Sequence, residues 1–278
     1  MIGLFRGLFD DAALFPPGDA PMAAAVPAHA ALRREYGALT GPFVVPAARL
    51  DDLFDALDGE SIAVSLIAAP GGLAAAIDRV HAEPGLGLAG VEVPPPADAG
   101  AAAEVCATLA RVMPPEVPAA VELPRTAERD GVLDVLAGAG RRAKLRTGGV
   151  RPELFPPADE LAATLAACLT RGVAVKCTAG LHGAAAHVDP ATGFAHHGFL
   201  NVLLAVDALA DGGSAADAAG RLAQTSAPAL ADALRDWAPE RAARARRSFT
   251  SFGTCSVADP VGDLSALGLL HDPDRMPT

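Results

Sequence analysis

Lysine is almost missing from this chain of 278 residues. Of its 22 basic side chains only Lys144 and Lys176 are lysine, and the rest are arginine. Aromatic residues are scarce at 4%, and much of the 51% hydrophobic content is alanine, so the expected core is ample but poor in rings. Uninterrupted apolar stretches are missing too: the longest, SIAVSLIAAPGGLAAAI (61–77), is broken by Pro70, Gly71 and Gly72, which excludes a membrane helix there and reads as strand, turn, helix. The N-terminal MIGLFRGLFDD carries Arg6 inside its apolar run and has no plausible cleavage site, so no export signal is expected. Cys106, Cys168, Cys177 and Cys255 form no C-x-x-C pair; buried free thiols in a reducing cytoplasm are the expectation. Excess positive charge is lacking as well. With 33 acidic residues and a net charge of −11, nucleic acid and anionic membranes are excluded as general partners, and the one basic run, ERAARARR (240–247), reads as a solvated helix face.

From residue 41 onward, short apolar runs alternate with amphipathic segments. The runs are 42–47, 61–68, 86–93, 118–123, 141–147 and 172–178. Between them Leu50, Leu53, Phe54 and Leu57, then Val105, Leu109, Val112 and Met113, then Leu161, Leu165, Cys168 and Leu169 fall at helical spacing. Thr126 is placed to cap a helix start, and Gly140 and Gly172 to end helices. The unit repeats about every 25 to 30 residues, as βα units do. Residues 198–247 read as extra helices broken near Gly212 and Pro239, and 247–254 as a last strand. An eighth strand must come from LFDDAALFPP (8–17). With that count, and no G-x-G-x-x-G loop, a single (β/α)8 barrel domain over 1–278 is expected rather than an open doubly wound sheet.

Side chains alternate along a strand, so each run has two faces. In 141–147 one face holds Arg142, Lys144 and Arg146; in 172–178 it holds Ala174, Lys176 and Thr178. The apolar face must meet the helices, and the charged face then points into the barrel. The two preceding runs send Glu92 and Glu122 inward by the same rule. Four successive strands thus place Glu, Glu, Lys with Arg, and Lys near their C-terminal ends, where barrel enzymes carry their chemistry. The structural alternative is a buried ionic network in which these charges merely neutralise one another. The restriction to lysine favours chemistry. Arginine keeps its proton in proteins, whereas a partly desolvated lysine beside Lys176 and Arg146 has its charged form disfavoured and can act as nucleophile.

KLRTGG (144–149) followed by KCTAGL (176–181) resembles the paired lysine motifs of deoxyribose-phosphate aldolase and related class I aldolases. That resemblance spans about 40 residues. It implies that Lys144 forms a Schiff base, that Lys176 lowers its pKa, and that Glu122 or Glu92 moves protons. Arg146 stands where the family has a small polar residue and Leu181 where it has a second glycine, which puts the family's phosphate binding in question; backbone N–H groups of Gly148, Gly149, Gly180 and Gly183 could still cradle an anion. End to end, with DDAALFPPGDAP, KCTAGLH, HHGFLNVL and FGTCS, the chain also resembles an uncharacterised actinobacterial protein family, which brings no activity with it.

The loop 181–201 holds His182, His187, His196 and His197 and is expected to wall the barrel mouth. His182 is read as an acid/base and His197 as a substrate contact, against a plain solvated loop with one histidine capping the helix near Gly198. If residues 8–17 form the first strand, one of its aspartates reaches the site; Asp11 is the choice, with a surface position the alternative for both. The reading is thus a cytoplasmic, cofactor-free class I aldolase-type lyase acting on a small carbonyl compound, anionic or not. Lys144, Lys176, Glu122, Glu92 and His182 are its catalytic set, and Arg146, Thr178, Gly148, Gly149, Gly180, Asp11 and His197 contact substrate. No resident metal is assigned. Two alternatives stay open: a metal-assisted hydrolase or isomerase with Glu92, Glu122 and the His182–His197 loop as ligands, and a barrel that only binds a small anion.

Overall fold

The computed structural model describes residues 2–270. Eight parallel strands close into a barrel: β1 (Phe9–Asp11), β2 (Thr40–Pro46), β3 (Ile62–Ile67), β4 (Leu86–Val93), β5 (Ala119–Glu122), β6 (Arg142–Arg146), β7 (Val175–Thr178) and β10 (Phe249–Thr254). A short antiparallel hairpin, β8 (His187–Val188) with β9 (Ala195–His196), lies in the loop after β7. β1 is only three residues long, yet it pairs with β2 on one side and β10 on the other. That double pairing removes the open edge a seven-stranded sheet would leave. The expected (β/α)8 barrel is therefore present.

Strand limits follow from how the preceding helices end. Gly172 takes φ +69° and Gly140 φ +63°, a left-handed conformation that only glycine adopts without a Cβ penalty. The following amides then turn back, Val173 N–H to the Cys168 carbonyl and Arg141 N–H to that of Leu136. Helix closure consumes the first residues of the run 172–178, and its strand starts only at Val175. Thr126 behaves differently from expectation. The helix begins at Arg129, and the Thr126 hydroxyl instead accepts from Glu128 N–H in the turn before it.

The outward faces of the strands supply the main core. Val91, Val93, Val121, Leu123, Ala143, Leu145, Val175 and Cys177 are all buried against helices. The few rings are concentrated: Phe9, Phe199 and Phe252 meet with centroids 5.5 to 5.6 Å apart, where β1 and β10 receive the helix Phe199–Ala210. That helix is apolar on nearly every side because the extra helices Ala215–Leu222, Ala227–Arg235 and Pro239–Ser248 enclose it. Its one buried charge, Asp207, accepts from the guanidiniums of Arg241 and Arg244. The basic run 240–247 is thus only partly a solvated face. It also ties one helix to another, and Arg246 reaches the carbonyls of Phe249 and Arg6. Cys106, Cys168 and Cys177 are buried free thiols, and Cys255 is half-buried and free. Among the described residues no helix is long and apolar enough to cross a membrane.

Candidate functional site

Inside the barrel the polar faces of seven strands meet. Lys144 on β6 stands in register with Glu122 on β5 and with Lys176 on β7. Lys144 Nζ lies 3.0 Å from Glu122 Oε2 and 3.4 Å from Glu92 Oε2. Lys176 reaches across the interior, donating to Glu92 on β4 and sitting 2.8 Å from Asp10 Oδ2 on β1. Ser65 on β3 donates to Glu92 Oε1 at 2.9 Å, and Ser251 on β10 donates to Asp10 at 2.7 Å. Arg146 Nε closes the series, 2.9 Å from Glu122 Oε1. The order is Asp10, Lys176, Glu92, Lys144, Glu122, Arg146: carboxylate and cation alternate, and the formal charges sum to zero.

Asp10, Glu92, Glu122, Lys144 and Lys176 are all buried; burial opposes charge, and for Asp10, Glu92 and Lys176 it competes with ionic partners. Burial works against charge on Glu92, but Lys176 and Lys144 outweigh it and hold the carboxyl at about 2. Burial likewise opposes charge on Lys176, yet Asp10 and Glu92 prevail and raise its pKa above the ordinary lysine value. For Asp10, burial prevails over Lys176 and its carboxyl is raised. Lys176 is thus a firmly held ammonium. Like-charge repulsion of Lys144 by Lys176 and Arg146, the expectation from their shared face, is offset in the structure. Glu92 stands between the two lysines, and Glu122 between Lys144 and Arg146.

Above this floor, at the C-terminal ends of the strands, opens a cavity of about 620 Å³. Lys144, Lys176, Glu92, Glu122, Arg146, Thr178 and Gly149 line it, together with His182 and Cys255. A second, smaller space of about 140 Å³ lies toward the N-terminal ends, where Lys176, Asp10, Glu92 and Arg142 are found but Lys144 is not. Lys144 therefore faces the mouth alone, while Lys176 forms the partition between the two spaces.

His182 is oriented by Thr254. The Thr254 hydroxyl, which donates to the Ser256 carbonyl at 2.9 Å, lies 3.3 Å from His182 Nδ1, and the Cys255 Sγ lies 3.5 Å from the same nitrogen. The neutral ring carries one N–H and one lone pair. Burial first, and then the neighbouring His196, lower the pKa of His182, which keeps it in that basic form near neutrality.

Several sequence expectations are met by other residues or other contacts. Asp10, not Asp11, faces the site. Asp11 has the opposite parity on β1 and turns outward, where its Oδ2 meets His29 Nδ1 at 2.9 Å and its Oδ1 accepts from Ala13 N–H. A three-residue strand carries too little alternation to show which aspartate points inward; only its pairing with β10 does. His197 also lies off the cavity. It is buried, with Nε2 2.8 Å from the Pro156 carbonyl, and burial lowers its pKa. Nor does it cap the following helix, whose first flanking residue is Gly198. The loop histidines His187 and His196 stack with centroids 5.2 Å apart over the hairpin. Gly148 and Gly180 have a packing role: a Cβ on Gly148 would lie 2.6 Å from the Gly180 Cα, so the loops after β6 and β7 touch through backbone. A Cβ on Gly149 would meet Leu154 Cδ1 at 2.4 Å.

No family model, curated protein or solved structure matches the chain. Among the described residues no group of three or more His, Cys, Asp or Glu is arranged to hold a metal ion. Glu92 and Glu122 turn their oxygens to ammonium and guanidinium groups.

Proposed function

We propose that the protein is an enzyme of the class I aldolase type, in which Lys144 forms a Schiff base with a small carbonyl substrate. The single observation that carries this reading is that both lysines of the chain lie buried under the same mouth cavity, on neighbouring strands and in register. Arginine would satisfy the same carboxylates, often with two hydrogen bonds, but it cannot lose a proton to become a nucleophile.

The two lysines have different parts. Lys176, fixed between Asp10 and Glu92, stays protonated and supplies a permanent positive charge beneath the reacting atoms. Lys144 is the amine that faces substrate. Its proton passes to Glu122, 3.0 Å away, and because that transfer turns an ion pair into a neutral pair, the net charge of the buried network does not change. The free amine then adds to the substrate carbonyl: a C–N bond forms and the C=O π electrons move to oxygen. Glu122 returns a proton to that oxygen, then takes one from the added nitrogen and passes it to the new hydroxyl, which leaves as water, and an iminium remains. The iminium draws electrons from the adjacent C–C or C–H bond, which is what makes cleavage or enolisation feasible without a cofactor. His182, a neutral imidazole lining the cavity, takes or returns the proton at the substrate carbon or hydroxyl.

Incubation with a panel of aldehydes and ketones, followed by borohydride reduction and intact mass measurement, tests the reading. A reduced adduct of one substrate unit is expected. No adduct with any carbonyl, or activity abolished by a chelator and restored by a divalent metal, would replace the proposal with the metal-assisted or purely binding alternatives.

A further inference from the structure

The mouth cavity is charged only on its floor. Its apolar lining includes Phe15, Val44, Ile67, Pro94, Val150 and Leu154, interrupted by Thr178, His182 and Cys255, and Val150 at the rim is 69% exposed. Among the described residues lining it, each Lys or Arg already faces a carboxylate: Lys176 faces Asp10 and Glu92, Lys144 faces Glu92 and Glu122, and Arg146 faces Glu122. An anionic ligand entering here would meet no excess positive charge and would approach two buried carboxylates. Burying a charge without a partner is costly, whereas burying hydrocarbon against these walls is favourable. Three of the glycines that could have formed an anion cradle are instead accounted for by backbone contact between Gly148 and Gly180 and by Leu154 against Gly149. Nearby Arg125 is tied to Glu160 and to the Glu153 carbonyl.

We infer that the cavity selects an uncharged, largely apolar aldehyde or ketone, and discriminates against carboxylated or phosphorylated carbonyl compounds. The carbonyl in this inference rests on the proposed role of Lys144; the preference for an uncharged apolar body rests on the walls alone. Each charge on the floor retains its partner when such a molecule binds, and the carbonyl is the one polar group that must reach Lys144.

Calorimetric titration with primary alcohols of four to six carbons, the matching carboxylates and the matching phosphate monoesters tests the preference without any Schiff-base chemistry. The alcohols are expected to bind about fourfold more tightly per added methylene, and at least about tenfold more tightly than either anionic series. Filling the cavity by Ile67→Trp should weaken the six-carbon alcohol by about tenfold or more. Tighter binding of a carboxylate or phosphate ester, no dependence on chain length, no binding at all, or unchanged binding in a folded Ile67→Trp protein overturns the inference. Borohydride trapping keeps the two proposals apart. Alcohol binding as described with no adduct from any aldehyde leaves the apolar preference standing and removes the Schiff base; adducts formed only with phosphorylated or carboxylated carbonyls do the reverse.

Discussion

Replacing Glu92 by Gln removes the one carboxylate that stands between both lysines, with little change of shape. Its carboxyl is held at about 2 against an ordinary value of 4.5, a difference of about 2.5 pH units, which corresponds to about 3 kcal/mol of folding stability. A depressed carboxyl contributes that stability wherever the unfolded chain would be ionised, that is, above the ordinary value. The contribution then declines as pH falls from 4.5 toward 2. Glu92→Gln should therefore be less stable than the parent by about 3 kcal/mol at pH 7, and the two should converge as pH approaches 2. With an unfolding entropy of about 2.1 cal/mol/K per residue, 3 kcal/mol over a chain of this length lowers Tm by about 5 °C. Release of a proton from one of the two lysines left facing each other would relieve part of the cost, so this is an upper figure. Urea titrations and thermal unfolding at several pH values measure it. Equal stability at pH 7, or a deficit that stays constant from pH 7 to pH 3, would refute the claim that Glu92 is an ionised bridge.

Lys176→Met should cost about 3 to 5 kcal/mol, because Asp10 and Glu92 are left buried without their shared cation; unchanged urea midpoints would contradict this. His182→Gln should lower turnover about 100-fold or more while leaving borohydride trapping intact, and with the parent enzyme the dependence on a neutral His182 should make activity rise as pH climbs through a value below 6.5 and level off above it. Rate profiles of both proteins check this, and a profile unaltered by the substitution would remove His182 from the mechanism. Gly148→Ala should destabilise by about 1 to 3 kcal/mol through the overlap of its Cβ with the Gly180 backbone; a neutral substitution would mean that the two loops separate easily.

The fold was legible because its signals are local and repeated. Helical stripes such as Leu161, Leu165 and Cys168, and the alternation in 141–147, each need only one element to be read. Parity alone put Glu92, Glu122, Lys144 and Lys176 inside the barrel, and all four are buried there. What parity does not contain is how the strands are staggered around the barrel. The salt bridge from Lys176 on β7 to Glu92 on β4 crosses the interior, and so does its contact with Asp10 on β1. These contacts depend on closure, and they changed the picture of the lysines from mutual repulsion to alternation with carboxylates. Asp10 was hidden in a strand of three residues whose inward face is set by β10, about 240 positions away along the chain. His182 and His197 lie in one loop with no periodicity, so their separation, one at the cavity and one against Pro156, had no signal in the order of residues.

The scarcity of lysine makes the central claim directly measurable. The chain has two lysine side chains and one terminal amine, so peptide mapping after borohydride reduction with a trapped carbonyl compound assigns the modified nitrogen without ambiguity. The account predicts the added mass on the peptide containing Lys144, and its loss in Lys144→Arg. Modification of Lys176 in its place, or an adduct that persists in Lys144→Arg, would contradict it.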